Sequence, residues 1–228
     1  MTHPFPRPEG TYEHEVSRRT FLAGAAGLLA ATALAPQIAR GSVMNAKFDV
    51  ERFIEDVKRA RLDGDSQKAV QMVLARAVSE PAVVLQGLGA PSQPGIHTLY
   101  HAEDLTILNV IWAPLMVLLP HNHNMWASIG IYTGREDNIT WERHGSVIEA
   151  AGAASLSEKE VFPLPDTAIH SVTNPIGRLT GAIHIYGGDF FAKGRSEWDA
   201  ETLHERPFDL EAARRVFEEA NKRFQAGH

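Results

Sequence analysis

The stretch LPHNHNMWASIGIYTG, residues 119–134, carries two histidines one residue apart, His121 and His123. On a β-strand successive side chains alternate between faces, so two residues separated by one point the same way and both imidazoles can reach one ion. His170, in the later stretch PLPDTAIHSVTN (residues 163–174), is the candidate third ligand on a neighbouring strand. Imidazole suits iron, zinc, copper and nickel, and a three-ligand face leaves positions open for substrate and for oxygen or water. An HxH pair alone is as compatible with chance as with a metal site, and it is the second stretch that favours the metal. There, Pro165, Asp166 and Thr167 form a turn signal, Ile169 to Val172 have strand composition, and Asn174 falls on the same face as His170. In the first stretch Ile129 and Ile131 continue the His121/His123 face in apolar form, and Gly134 ends the run as a turn does. The expected picture is a barrel interior with a metal near one end.

The HxH pair followed by Gly134, and then a proline turn followed by HxxxN, resemble the two motifs of the cupin superfamily. The commonest cupins carry a glutamate shortly after the second histidine, whereas Asn124, Met125, Trp126, Ala127 and Ser128 offer no carboxylate. Three histidines without that ligand are similar to the thiol dioxygenase branch, the relatives of cysteine dioxygenase and 3-mercaptopropionate dioxygenase. HNHNMWASIGIYTG resembles the bacterial members in particular. The resemblance implies an all-β cupin jelly-roll barrel (double-stranded β-helix). It also implies a metal held by His121, His123 and His170, iron(II) first and another divalent transition metal second. At that site dioxygen would be added to a small thiol to give a sulfinate.

In the same family a Ser-x-His-x-Tyr strand lies beside the iron, and Ala182-Ile183-His184-Ile185-Tyr186 stands in that place here. Histidine and tyrosine match; the serine is Ala182. The resemblance therefore implies catalytic roles for His184 and Tyr186, with His184 holding the phenol toward a metal-bound substrate as a hydrogen-bond donor. Members that oxidise free amino or mercapto acids carry an arginine two residues after a tyrosine upstream of HxH. Here Tyr100 is followed by His101 and Ala102, which leaves His101 and Arg178 as the residues to consider for gripping a carboxylate. The chain has no cysteine, so the cysteine-tyrosine crosslink of some animal members cannot form. The resemblance spans roughly residues 96–190. Two alternatives accompany it: a cupin metalloenzyme with a non-thiol substrate, and a periplasmic metal- or ligand-binding cupin.

With 228 residues, 44% of them hydrophobic, and a net charge of −6, the chain has the material for one sizeable core. Mild acidity without a basic cluster argues against nucleic acid as a partner, and no stretch reads as a permanent membrane span. Ser17-Arg18-Arg19-Thr20-Phe21-Leu22 followed by AGAAGLLAATALA resembles a twin-arginine export signal. The expected organisation is a signal region over 1–43 and a cupin domain with flanking helices over 44–228. The export machinery would be a partner and the periplasm the destination; a start at Met44 would leave the protein cytoplasmic. Cleavage is expected after Ala33-Leu34-Ala35 or near Ala39.

Along the domain, Asp49 is a candidate cap for a helix over 49–62 with Phe53, Ile54, Val57 and Leu62 on one face. Asp65 opens a second helix, with Val70, Val73, Leu74, Ala77 and Val78 at helical spacing, which Pro81 stops. The segment onward to Gly95 reads as loop. From Ile96 to about Tyr186 short β-rich runs alternate with turn residues, and a C-terminal helix follows with Asp209 as its candidate cap and Leu210, Val216, Phe217 and Phe224 on its apolar side. Trp112, Trp141 and Trp198 are expected in packing roles and Trp126 at the mouth of the pocket. His97 and His144 read as surface residues, and Glu136-Asp137 as a solvated hairpin tip.

Overall fold

Asp49 accepts a hydrogen bond from Arg52 N at 3.0 Å and caps α1 (Val50–Arg61), which buries Phe53 and Val57. Leu62, expected on that face, is instead the C-cap residue and is 77% exposed. Asp65 caps α2 (Ser66–Val78), which buries Val70, Val73, Leu74 and Val78. The segment expected as loop contains a third helix, α3 (Pro81–Leu88). Proline at its start explains this: the N–H that Pro81 lacks is one that a first helical turn leaves unpaired in any case, so the residue that stops α2 also starts α3. These observations come from a computed structural model in which residues 47–192 and 194–227 are described. The readings that fall on residues 1–43 and on Met44, the twin-arginine segment and its cleavage region, lie outside those residues.

The strands are β1 (Gly95–Ala102), β2 (Leu105–Trp112), β3 (Val117–Asn122), β4 (Ala127–Thr133), β5 (Arg135–His144), β6 (Val147–Ser157), β7 (Val161–Leu164), β8 (Ile169–Thr173), β9 (Thr180–Tyr186), β10 (Ser196–Trp198) and β11 (Glu205–Pro207), and α4 (Leu210–Gln225) follows, capped by Asp209. They form two antiparallel sheets, ordered β1-β2-β9-β4-β7 and β11-β10-β3-β8-β5-β6. Early strands pair with late ones, β2 with β9 and β3 with β8, which is the winding of a double-stranded β-helix. The expected jelly roll, a double-stranded β-helix with helices at both ends, is the fold. Its β structure runs past Tyr186 into β10 and β11. Gly134, at φ +85°, makes the turn between β4 and β5 in a conformation that side chains rarely adopt.

Two apolar layers hold this arrangement. Between the sheets, Leu108, Val110, Ile129, Ile131 and Ala182 meet residues of α4, Phe217 and Ala220. On the outer face of the first sheet, Ile107, Tyr132, Ile183 and Ile185 pack under Val57, Leu74 and Val84 of the N-terminal helices. β2 and β9 are thus buried on both faces, which is why LTILNVIW and TGAIHIY are apolar almost throughout. α2 comes close enough to β4 that a Cβ on Gly130 would stand 2.8 Å from Leu74 Cγ. No helix among the described residues is long and apolar enough to cross a membrane.

Candidate metal centre

In the register of β3 against β8, His121 stands directly opposite His170. Directly opposed residues bring their Cβ atoms within about 5.5 Å, so two imidazoles there converge. His123 lies just past the end of β3. Asn122 between them turns the other way and accepts a hydrogen bond from Ser196 N at 2.8 Å, so the alternation of the strand persists through the pair. The three histidines are buried, and one ring nitrogen of each lies within 4.8 Å of the others.

Hydrogen bonds orient two of the rings. His121 Nδ1–H donates to the Leu119 carbonyl at 2.8 Å, and His170 Nδ1–H donates to Asn138 Oδ1 at 2.8 Å, which turns each Nε2 lone pair inward. His123 Nε2 faces His170 Nε2 at 2.9 Å. Two neutral imidazoles that meet nitrogen to nitrogen must either share a proton or direct both lone pairs at a cation. Burial depresses all three histidines, His121 to about 4 and His123 and His170 well below the ordinary range; His121 further depresses the other two. Neutral imidazole is the form that binds metal. Ligand type, burial and ring orientation therefore fit a first-row transition cation.

A buried chain of polar groups leads away from His170. Asn138 Nδ2 donates to Glu136 Oε1 at 3.0 Å; Glu136 Oε2 accepts from Trp112 Nε1 at 2.8 Å and lies 3.4 Å from His184 Nε2. This last approach is an electrostatic contact without hydrogen-bond alignment. His184 Nδ1 in turn lies 3.1 Å from the Tyr186 hydroxyl. Glu136 is 0% exposed, which corrects the reading of Glu136-Asp137 as a solvated tip. The turn consumes only Gly134, β5 begins at Arg135, and alternation then sends Glu136 and Asn138 inward while Asp137 faces out and pairs with Arg135 at 2.8 Å.

His184 and Tyr186 occupy alternate positions of β9 and line the same chamber as the three histidines. The Tyr186 and His123 ring centroids are 4.9 Å apart. Burial raises the Tyr186 phenol above its usual range, so it holds its proton and stays a donor.

One chamber residue escaped the sequence reading. Arg195 is 9% exposed, its guanidinium stacks between Phe190 and Phe208 at 4.1 and 4.2 Å from the ring centroids, and its Nη1 lies 3.4 Å from His123 Nδ1. Among the described residues it pairs with no carboxylate. It comes from the segment beyond β9, where neither periodicity nor the family motifs reach. His101 pairs with Asp189 at 2.8 Å and Arg178 approaches Glu158 at 3.7 Å, and neither lines the chamber.

Other expectations divide. His97 and His144 are exposed as expected. Trp126 is not at the mouth: it lies over Gly187 and packs with the outer layer under the helices, while Trp112 lines the chamber. Asn174 is buried but serves the loops, with Nδ2 donating to the carbonyls of Ala113 and Arg178 at 2.8 Å. The chamber holds about 320 Å³.

No family model matches the sequence. Among solved structures the chain is similar to an RmlC-like cupin family protein of double-stranded β-helix fold from Methanocaldococcus jannaschii, at 10% identity and TM-score 0.37, over 44% of this chain and 84% of that one. It is similar to a conserved protein with a double-stranded β-helix domain from Klebsiella pneumoniae, at 11% identity and TM-score 0.37, over 47% and 83% of the two chains. Oxalate decarboxylase from Bacillus subtilis matches at 14% identity and TM-score 0.33, over 40% of this chain and 22% of the decarboxylase. The assignment of the fold stands on the strand order and register of the chain itself.

Proposed function

We propose that this protein is a metal-dependent oxidoreductase of the thiol dioxygenase kind, with iron(II) held by His121, His123 and His170. The observation that carries this reading is a three-histidine cluster that no carboxylate joins among the described residues, sharing one chamber with a Tyr186 hydroxyl that His184 holds. Bound iron supplies the redox chemistry between thiolate and dioxygen. The overall change is balanced: both oxygen atoms end on sulfur, two S–O bonds form as the O–O bond breaks, and sulfur supplies the electrons that dioxygen takes up. The thiol proton ends on the sulfinate or in solvent.

The residues of the chain position and exclude. The buried histidine face and the apolar walls keep bulk water from the reacting atoms, so each polar group acts in a low dielectric. With Nε2–H of His184 toward the Glu136 carboxylate, Nδ1 accepts from the Tyr186 hydroxyl; with the proton on Nδ1, the tyrosyl oxygen accepts and its own proton is presented to the chamber. Glu136 stands where it can support His184, the part that a serine at position 182 would play in the family. Arg195 supplies the cation missing after Tyr100 and fits an anionic group on the substrate.

Aerobic incubation of iron-loaded protein with a panel of small thiols tests the reading: oxygen uptake matched by sulfinate is expected. No turnover with any thiol removes the thiol reading and leaves the metal centre standing. We also propose export by the twin-arginine route, supported by residues 17–35. Periplasmic recovery that is lost when Arg18 and Arg19 are both changed to Lys is the expected result, and an unchanged cytosolic location refutes it.

A further inference from the structure

The chamber is larger and more apolar than a short mercapto acid calls for. At about 320 Å³ it has room for about ten water molecules at about 30 Å³ each. Apart from its histidines, Tyr186, Arg195 and a polar rim, its wall is apolar and includes Leu108, Val110, Leu118, Val172, Phe191 and Phe217. Apolar walls of this kind repel the water that a small polar substrate would leave behind. The exposed lining residues, Ile96 and Thr98 on β1 and Arg214 and Glu218 on α4, mark the side on which the chamber meets solvent. Arg195 is buried there between two aromatic rings and, among the described residues, pairs with no carboxylate; a buried cation without a charged partner is costly unless a ligand anion completes it.

We propose that the chamber is a binding site for an amphiphilic anion, a carboxylate with an extended alkyl or aryl body. The carboxylate pairs with Arg195, and the apolar body fills the space between the inner face of β2 and the Phe217 side of α4. This deepens the thiol dioxygenase reading and rests on it only for the reactive group: the substrate would be a mercapto acid with a hydrophobic body.

The test separates the two readings by using thiol-free probes. Linear carboxylates from acetate to decanoate are titrated calorimetrically into metal-loaded protein, alongside primary alcohols of matched length. Burial of each methylene is worth about 0.8 kcal/mol, so affinity is expected to rise about fourfold per carbon until the chamber is full. Carboxylates are expected to bind at least about tenfold tighter than matched alcohols, and Arg195→Gln to lose about 10- to 100-fold for carboxylates while leaving alcohols unchanged, the scale of a hydrogen bond to a charged group. Ala213→Phe, on the chamber-lining side of α4, is expected to shift the plateau to shorter chains without weakening acetate. Melting temperature and metal content check that each variant is folded, and if Arg195→Gln fails to fold, the alcohol comparison and Ala213→Phe still decide. A flat length series, or carboxylates no better than alcohols, overturns the proposal. Tight binding of long carboxylates with no thiol oxidised refutes the dioxygenase reading and keeps the site, whereas oxidation of short thiols with a flat series does the reverse.

Discussion

Asn138 orients His170, because its Oδ1 is the acceptor for the Nδ1–H of that ring. A ligand whose other nitrogen loses its partner can rotate and change tautomer, and removal of such outer partners costs about 10- to 100-fold in metal affinity. Asn138→Ala is therefore expected to weaken metal binding by that factor in a chelator competition, with the fold retained. In the proposed reading Tyr186 is a donor rather than a ligand, so Tyr186→Phe is expected to keep its metal and its KM while kcat falls by about 10² to 10⁴. An equal loss of metal in Tyr186→Phe would show that the residue is structural. His121/His123 and His184/Tyr186 were legible as same-face pairs because HxH and HxY depend on the period of a single strand, while His170 and the roles of all five came with the family resemblance. Glu136 was not, since the sequence Gly-Arg-Glu-Asp-Asn fits a polar turn as well as a strand. Only the pairing of β5 with β8, which sets Thr140 opposite His170, shows the inward face to hold Glu136 and Asn138.

At the scale of elements, caps and breakers read correctly where they act locally. Asp49, Asp65 and Asp209 each accept from the backbone N–H three residues on, at 3.0, 3.3 and 2.9 Å. Pro81 misled because one residue serves as both stop and start. The docking of α2 on β4 is a tertiary matter. Gln67 Nε2 donates to the carbonyls of Ala127 and Leu164 at 3.0 and 2.9 Å, and Gly130 leaves room for Leu74. Gly130→Val would force the two apart, so it is expected to destabilise the protein by about 1–3 kcal/mol in chemical denaturation. An unchanged midpoint would mean that α2 shifts freely over the sheet.

At the scale of the whole molecule, burying three neutral histidines ties stability to pH. In metal-free protein their folded pKa values lie below that of an exposed histidine, so between about pH 6.5 and about pH 4 the unfolded chain binds more protons than the folded one. Their contribution is complete above about pH 6.5 and is lost as pH falls, that of His121 by about pH 4 and that of His123 and His170 lower still. Melting temperatures measured with chelator should drop across that window, and a flat profile would contradict burial of neutral rings. What the sequence determined by itself is what depends on neighbours along the chain: the His121/His123 pair, to which a family resemblance adds His170 as a candidate ligand, the His184/Tyr186 strand, the capped helices and the jelly-roll pattern of short strands. What only the tertiary structure decided is the company these residues keep. The link from Asn138 through Glu136 to His184, the stacking of Arg195 between Phe190 and Phe208, and the apolar chamber under α4 bring together segments far apart in sequence, and their contacts are set by sheet register and by helix packing rather than by any local period.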